Sequence, residues 1–222
     1  MNVIAIDGSS SAGKGTLALR LAEKLDYAYL DTGALYRGVG YELLQKGLDP
    51  QDEEAAVQVA KSLSVERMLS LQDDSCIRNE VCGKAASYVS RLPKVREALF
   101  DFQRRFAFFP IKKDKTPAKG AILDGRDIGT VICPEAKIKL FLTASSEIRA
   151  KRRYKELQLR KIYAIYEDVL SDVIARDKRD SERKTAAMRP ADDAFVLDTS
   201  DLTPDEVFTA VAERLEQKMC GK

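Results

Sequence analysis

The sequence contains no histidine among its 222 residues. This absence excludes Ser-His and Cys-His nucleophilic mechanisms, and it removes the usual partner of cysteine in a zinc site. Any acid–base chemistry must therefore fall to carboxylates, lysine or water. The four cysteines form no CxxC pair, so no zinc motif is present. We interpret them as reduced, structural thiols and expect a cytoplasmic protein.

The sequence is also short of net charge and of long apolar runs. Its formal net charge is only +2, which gives no bulk electrostatic case for binding nucleic acid or a membrane surface. No apolar run approaches membrane-spanning length, and no signal segment is apparent. A length of 222 residues with 45% hydrophobic residues suits one α/β domain with a small insertion. We expect a monomer without nucleic-acid or membrane partners.

The first sixteen residues carry the strongest motif in the chain. A short apolar run ends at Ile6, and Gly8, Gly13 and Lys14 follow at the spacing of a phosphate-binding loop. Because a strand precedes this loop and a helix follows it, the pattern favours a nucleoside triphosphate site over a Gly/Ser-rich surface turn. The predicted ATP-binding residues are Gly8, Ser9, Ser10, Ser11, Ala12, Gly13, Lys14, Gly15 and Thr16.

One position of the loop departs from the usual pattern. The residue after Lys14 is Gly15, whereas a serine or threonine hydroxyl commonly binds Mg²⁺ there, and the hydroxyl comes one place later at Thr16. Magnesium readily keeps several waters. We therefore predict that Mg²⁺ is held by phosphates and water, with no direct side-chain ligand.

Alternating apolar runs and helical patterns predict the fold. The predicted strands are residues 3–6, 27–30, 121–123, 138–142 and 194–197. Near-continuous apolar strands between helices indicate a three-layer α/β/α fold with a central five-stranded parallel sheet. Polar clusters follow the first three strands at Asp7-Gly8, at 31–33 and at 124–127, and we expect them to meet at one cleft.

The region between residues 63 and 92 is the least regular. Residues 64–67 and 75–78 are predicted to pair as a hairpin around Asp73-Asp74. Helices are predicted at 34–46, at 49–62 with Pro50 at the first position, at 84–90, at 93–108, at 146–161, at 166–181 and after Thr203.

A second anion site is indicated at residues 31–37, which read DTGALYR. Thr32 can cap the following helix, and Arg37 lies near its start, so the segment combines a helix N-terminus with a guanidinium group. The alternative is an ordinary capped helix with a surface arginine. Beside a triphosphate loop, a second phosphate site indicates a phosphoryl acceptor that carries its own phosphate.

The runs GSSSAGKGT, DTGALYR and DGRDIGT together resemble bacterial cytidylate kinase, a P-loop nucleoside monophosphate kinase family. The resemblance extends from Val3 to the C-terminal helix. It implies a P-loop kinase core over residues 1–62 and 93–222, a monophosphate-binding insertion at 63–92 and a helical lid at about 149–190. It also implies ATP with Mg²⁺ as phosphoryl donor, and CMP or dCMP as acceptor. Kinases for UMP or AMP remain the alternative within this superfamily.

The resemblance further implies roles for individual residues. Thr32, Tyr36 and Arg37 would lie beside the monophosphate, and Arg96 and Arg126 would hold its phosphate. The cytosine edge would face Ser87, Asp127 and Arg183. The ribose would be reached by Arg176 and Asp180. A carboxylate and an arginine suit the donor and acceptor groups of cytosine. For Arg96 and Asp127 taken alone, a structural ion pair is an equal alternative.

The helix after residue 145 is strongly basic between Arg149 and Lys161. Such a run is usually a solvated face, but a kinase lid needs arginines at the transferring phosphoryl group. We assign that role to Arg152, Arg153 and Arg176 and a solvated face to the rest. A nucleotide-regulated RNA-binding protein would use the same basic helix instead. The complete predicted catalytic set is Lys14, Arg126, Asp127, Arg152, Arg153 and Arg176.

Overall fold

The computed structural model describes residues 2–112, 114–182 and 186–220. The described residues form one parallel sheet of five strands, β1 (Val3–Gly8), β2 (Ala28–Asp31), β3 (Ala121–Asp124), β4 (Ile138–Thr143) and β5 (Phe195–Asp198). Their spatial order is β2-β3-β1-β4-β5. The predicted five-stranded parallel sheet is confirmed.

Nine α-helices surround the sheet within the described residues. They are α1 (Lys14–Leu25), α2 (Thr32–Gln45), α3 (Glu53–Ser62), α4 (Val65–Asp73), α5 (Glu80–Val89), α6 (Pro93–Phe108), α7 (Ser146–Leu159), α8 (Tyr166–Ser181) and α9 (Pro204–Cys220). A 3₁₀ turn covers Ser75–Arg78 and a π-helical turn covers Ile128–Ile132. In the described ranges, no helix has the length and apolar character needed to cross a membrane.

Both faces of the sheet are covered, because alternate residues of each strand point to opposite sides. Val3 and Ala5 of β1 belong to a core formed with α2, α3 and α6. Ile4 and Ile6 belong to a second core formed with α1 and α9. This double burial explains why the strands read as near-continuous apolar runs.

The hairpin predicted for residues 64–67 and 75–78 is wrong, because this region is helical. The polar residues taken as strand boundaries are helix caps. The Ser64 hydroxyl accepts a hydrogen bond from the Arg67 amide at 3.1 Å and begins α4. The Asn79 side chain accepts from the Cys82 amide at 2.8 Å and begins α5. Serine, asparagine and aspartate occur both at helix caps and in the turns between strands. The alternation of apolar and polar residues in this segment therefore could not distinguish short helices from a hairpin.

Other helix boundaries also differ from the prediction. Helix α3 begins at Glu53 rather than near Pro50, because the Asp52 carboxylate caps the amides of Glu54 and Ala55. Helix α5 begins at Glu80 rather than at residue 84. The predicted helices at 93–108 and 166–181 are confirmed at both ends. A capping box begins α9: the Thr203 hydroxyl accepts from the Glu206 amide at 3.3 Å, and the Glu206 carboxylate accepts from the Thr203 amide at 2.8 Å.

Candidate functional site

A cleft of about 1350 Å³ opens at the carboxyl ends of the central strands. Strands β2, β3 and β1 are neighbours in the sheet, and the clusters at 31–33 and 124–127 meet there beside the phosphate loop as expected. The predicted contribution of Asp7-Gly8 is wrong, because neither residue lines the cleft. The described residues predicted for substrate contact or catalysis all line this cleft except Gly8 and Ser9. Arg183 lies outside the described residues.

The loop between β1 and α1 is shaped by close backbone approach. A side chain at Gly8 would place its Cβ only 1.9 Å from the carbonyl oxygen of Leu142 on β4. Gly8 also has φ 134°, a conformation that disfavours any other residue. Ser11 adopts the left-handed φ of 57° without being a glycine, so the loop carries some backbone strain.

Lys14 is the first residue of α1, and its ammonium group reaches back across the loop. Its Nζ donates a hydrogen bond to the Ser9 carbonyl oxygen at 2.8 Å. Burial, followed by repulsion from Arg126, lowers the pKa of Lys14 to about 7. In the described part of the chain, the buried hydroxyls of Ser9 and Ser10 have no hydrogen-bond partner. Unpartnered donors next to a positive group suit an incoming phosphate.

Asp7 is the penultimate residue of β1, and its carboxylate binds the turn that follows β3. Its two carboxylate oxygens accept hydrogen bonds from the amides of Ile128 and Gly129 at 2.8 and 2.7 Å. Burial raises the pKa of Asp7 to about 7, and the two amides oppose that rise. Asp7 therefore anchors the π-helical turn that follows the DGRD cluster.

Asp124 lies at the end of β3, directly beside the phosphate loop. Its Oδ2 accepts a hydrogen bond from the Tyr29 hydroxyl at 2.8 Å. Burial, reinforced by the nearby Asp31, raises the pKa of Asp124 to about 6. A Cβ at Gly15 would lie 3.6 Å from both Asp124 Oδ2 and the Tyr29 hydroxyl oxygen. No motif marks Tyr29, and its place in a strand that ends at the cleft is the only sequence signal for it.

The second anion site is formed by the start of α2. The Asp31 carboxylate caps this helix by accepting from the Ala34 amide at 3.1 Å. The predicted capping by Thr32 is wrong, because Thr32 is already the first helical residue. The Thr32 hydroxyl donates to the Asp124 carbonyl oxygen at 2.7 Å, which fixes α2 against β3. Burial lowers the pKa of Arg37, as expected for a cation that has lost water. The guanidinium carbon of Arg96 lies 5.6 Å from the centre of the Tyr36 ring.

Buried ion pairs hold the acidic and basic groups of the cleft. Arg96 Nη2 lies 2.5 Å from Asp127 Oδ2, and Arg126 Nε lies 2.9 Å from Asp180 Oδ2. Arg176 lies one turn before Asp180, with its Nε 4.0 Å from the same oxygen. The Arg96–Asp127 pair is thus an ion pair that also lines the cleft.

Ser87 on α5 faces the cleft opposite α8. Its hydroxyl oxygen accepts a hydrogen bond from Arg179 Nε at 3.0 Å. Arg179 also lines the cleft, and sequence reasoning missed it. Arg179 lies three residues after Arg176 and next to Asp180 in the run RDKRDSER. Residues three or four apart share a helix face, so this spacing could have placed Arg179 on the same face as Arg176.

The basic helix α7 is less solvated than predicted. Arg149 was assigned to a solvated face, but it is only 3% exposed. Its guanidinium pairs with Asp177 on α8 and donates to the carbonyl oxygens of Ala144 and Ser10 at 2.8 and 3.4 Å. The assignment was wrong because a charged residue on a basic helix can be buried when every donor finds an acceptor.

The arginines predicted for the lid lie at two different places. Arg152 donates to the Thr199 hydroxyl at 3.0 Å and to the carbonyl oxygens of Thr199 and Leu202, so it braces the loop after β5. Arg153 pairs with Glu156 at 2.8 Å on its own helix. The positive charge of Arg153 contributes to lowering the pKa of Arg37. Arg153 therefore lies on the side of the second anion site.

Known sequences match nearly the whole chain. A family model described as cytidylate kinase matches residues 4–217. The chain belongs to the cytidylate kinase family. A cytidylate kinase of Paramagnetospirillum magneticum is 53% identical over 94% of this chain and 94% of its own length. Those of Rhodospirillum rubrum and Azorhizobium caulinodans are 49% and 50% identical, each over 97% of this chain and 98% of the relative.

A solved structure supports the fold alone. An uncharacterised protein from Eubacterium ventriosum superimposes with a TM-score of 0.53 at 15% identity, over 97% of this chain and 99% of that one. The family membership therefore rests on the sequence comparisons. The solved structure adds support only for the α/β fold.

Proposed function

We propose that this protein transfers the γ-phosphoryl group of ATP to CMP or dCMP, giving ADP with CDP or dCDP. The observation that carries the proposal is that a triphosphate loop and an arginine-rich acceptor pocket share one cleft. The loop follows β1, and the pocket is built at the ends of β2 and β3 on the same side of the sheet. Membership of the cytidylate kinase family supports the same reaction.

The donor half of the site is the loop from Gly8 to Thr16. Its backbone amides and the N-terminus of α1 offer hydrogen bonds to phosphates, and Lys14 adds a positive charge. Magnesium bound with the nucleotide would neutralise charge on the β- and γ-phosphates. The residues fit such a group, because the Asp124 carboxylate contacts the Gly15 position and can accept hydrogen bonds from metal-bound water. No side chain is proposed as a direct metal ligand.

The acceptor half binds a nucleoside monophosphate. We assign Thr32, Tyr36, Arg37, Arg96 and Arg126 to its phosphate, because the arginines are the desolvated cations of the pocket. A phosphate oxygen is already anionic near neutral pH, so attack on the γ-phosphorus needs no strong general base. This fits a chain without histidine. Catalysis then depends on positioning and on charge stabilisation.

The base and the sugar are assigned to the other end of the cleft. Ser87, Asp127 and Arg183 are proposed to face cytosine, which offers an amino donor and two acceptors. Arg176 and Asp180 are proposed to reach the ribose. A buried polar site discriminates strongly when a wrong base leaves its partners unpaired. The Arg96–Asp127 pair keeps the carboxylate in place before the base arrives.

The remaining proposals concern the lid, the monophosphate-binding insertion, the localisation and the oligomeric state. We propose residues 149–190 as a lid that brings Arg153 and Arg176 towards the transferring phosphoryl group, with Arg152 at the loop after β5. Residues 63–92 are proposed as the monophosphate-binding insertion on a core of 1–62 and 93–222. We further propose a cytoplasmic monomer, in keeping with its near-neutral charge and with the free thiols of Cys76, Cys82 and Cys133.

A coupled assay that detects ADP tests the proposal. The purified protein is given ATP, Mg²⁺ and one of CMP, dCMP, UMP or AMP. We expect turnover with CMP or dCMP to exceed that with UMP and AMP. Preference for AMP or UMP would overturn the base assignments. Salt-dependent RNA binding without phosphoryl transfer would instead favour the RNA-binding alternative.

A further inference from the structure

Tyr29 and Asp124 meet at the one position where the phosphate loop lacks a usual side chain. The Tyr29 hydroxyl donates to Asp124 Oδ2 at 2.8 Å, although the two residues are 95 positions apart in the chain. Both residues line the cleft. A Cβ at Gly15 would lie 3.6 Å from each of these two oxygens. The space beside residue 15 is therefore bordered by a phenol hydroxyl and a carboxylate.

This geometry bears on the missing hydroxyl after Lys14. In the common P-loop pattern, a serine or threonine at position 15 would project its hydroxyl into this space and meet the metal of the nucleotide. Here Gly15 brings no oxygen, and Asp124 is the carboxylate that contacts the vacant side of the loop. A carboxylate that accepts hydrogen bonds from metal-bound water must be held in one orientation to be useful. The hydroxyl of Tyr29 can fix that orientation.

We propose that Tyr29 is a positioning residue for the metal–nucleotide complex and acts by orienting Asp124 beside Gly15. Where the common P-loop pattern has a metal-binding hydroxyl next to the lysine, this chain has a carboxylate whose orientation is set by a hydroxyl from β2. Tyr29 contacts neither nucleotide nor metal in this role. The inference rests on the ATP–Mg²⁺ part of the proposed function and is independent of which monophosphate is the acceptor.

A purely structural role for Tyr29 makes a different prediction. The ring of Tyr29 packs with the core on the α1 side of the sheet, so its loss could loosen the loop as a whole. That would weaken nucleotide binding equally with and without metal. The positioning role weakens only the additional affinity that Mg²⁺ gives to ATP. The ratio of the two affinities separates the two cases.

Calorimetric titration with a non-hydrolysable ATP analogue, in the presence and absence of Mg²⁺, measures this ratio. Tyr29→Phe keeps the ring and removes only the hydroxyl. We expect the metal-dependent gain in affinity to fall by about fivefold or more, somewhat below the roughly 10–100-fold of an outer-shell partner, because Tyr29 acts on the metal-bound water only through Asp124. Affinity for the metal-free analogue should stay within about twofold of the unaltered protein. No monophosphate is present, so failure of CMP phosphorylation would leave this test valid.

A matched control and a rescue variant complete the experiment. Tyr27→Phe makes the same change two residues earlier, at a ring that packs against Gly120 outside the cleft lining, and should leave the ratio unchanged. Gly15→Ser in the Tyr29→Phe protein adds a hydroxyl next to Asp124, and this hydroxyl should restore most of the lost metal dependence. An unchanged ratio in Tyr29→Phe would overturn the proposal. Equal weakening with and without Mg²⁺, or no recovery in the double variant, would do the same.

Discussion

Arg149, which is buried, and Asp177, which is partly exposed, form an ion pair that joins the two helices of the proposed lid, α7 and α8. Arg149 Nη1 lies 3.0 Å from Asp177 Oδ1, and Nη2 bonds to the second carboxylate oxygen. The same guanidinium reaches the Ser10 carbonyl oxygen of the phosphate loop at 3.4 Å. The guanidinium of Arg149 thus connects α7 and α8 to the phosphate loop.

Replacement of Arg149 by lysine should therefore destabilise the fold. Lysine keeps the charge but cannot form the planar two-bond contact, and it leaves several buried acceptors unpaired. We expect Arg149→Lys to lower the free energy of unfolding by about 3 kcal/mol, as measured by urea denaturation. The same replacement at the exposed Arg214 should change it by less than about 0.5 kcal/mol. Equal stability of the two variants would contradict this role for Arg149.

Local patterns predicted the parts of the site that lie close together in sequence. The glycine spacing around Lys14 and the apolar runs of the strands are short-range signals, so the loop and the sheet followed from them. The meeting of three strand ends followed from a general rule for parallel sheets. The position of each strand in the sheet was not needed for that conclusion.

Long-range pairings could not be predicted in the same way. The Tyr29–Asp124 bond spans 95 residues, and the Arg126–Asp180 pair spans 54. Arg149 was misassigned because its partner lies on the next helix and nothing in its own helix marks it as buried. The helical region from residue 65 was also missed, because caps such as Ser64 resemble turn residues when only composition is considered.

Lys14 is expected to matter for turnover far more than for stability. Its ammonium is buried, so the folded protein already bears a desolvation cost that removal of the side chain relieves. We expect Lys14→Ala to lower kcat roughly 10²-fold or more, because a preorganised charge at the transferring phosphoryl group is lost. The thermal midpoint should change little. Lys46→Ala, at the end of α2, is the matched control.

The coupled ADP assay and a thermal melt on the same preparations test this prediction. Undiminished turnover in Lys14→Ala protein would refute the donor-site mechanism. A large loss of stability in that variant would show instead that Lys14 is mainly structural. The control should keep both its turnover and its melting temperature.

The lowered pKa of Lys14 also predicts proton uptake on ATP binding. Without nucleotide this pKa is about 7, so Lys14 is largely neutral at higher pH. A bound triphosphate favours the charged ammonium and raises the pKa. Bound protein then holds more protons than free protein, so ATP affinity should fall as pH rises from about 7 to about 9, approaching tenfold per pH unit at most.

Calorimetry in two buffers of different ionisation enthalpy measures this proton uptake directly. Lys14→Met removes the titrating group and should abolish most of the pH slope, which separates Lys14 from titration of the nucleotide itself. A slope that is unchanged in Lys14→Met would assign the proton to another group. No slope in the unaltered protein would mean that Lys14 remains charged without ATP.

Ser11 should be a site where glycine stabilises the protein. Its φ of 57° is left-handed, which costs a residue with a Cβ about 1–2 kcal/mol, whereas glycine adopts it freely. Glycine gives back about 0.5–1 kcal/mol through the greater freedom of the unfolded chain. We therefore expect Ser11→Gly to raise the free energy of unfolding by up to about 1 kcal/mol, or roughly 2–4 °C in Tm for a chain of this size.

Gln51→Gly is the control, because Gln51 lies in an exposed turn and is not among the residues with positive φ. There glycine relieves no strain and adds unfolded-state entropy, so we expect stability to fall by about 0.5–1 kcal/mol. Differential scanning calorimetry of both variants without nucleotide gives the comparison. If Ser11→Gly were destabilised as much as Gln51→Gly, the left-handed conformation at Ser11 would carry no strain. If both were stabilised, the gain would not come from the single dihedral angle at Ser11.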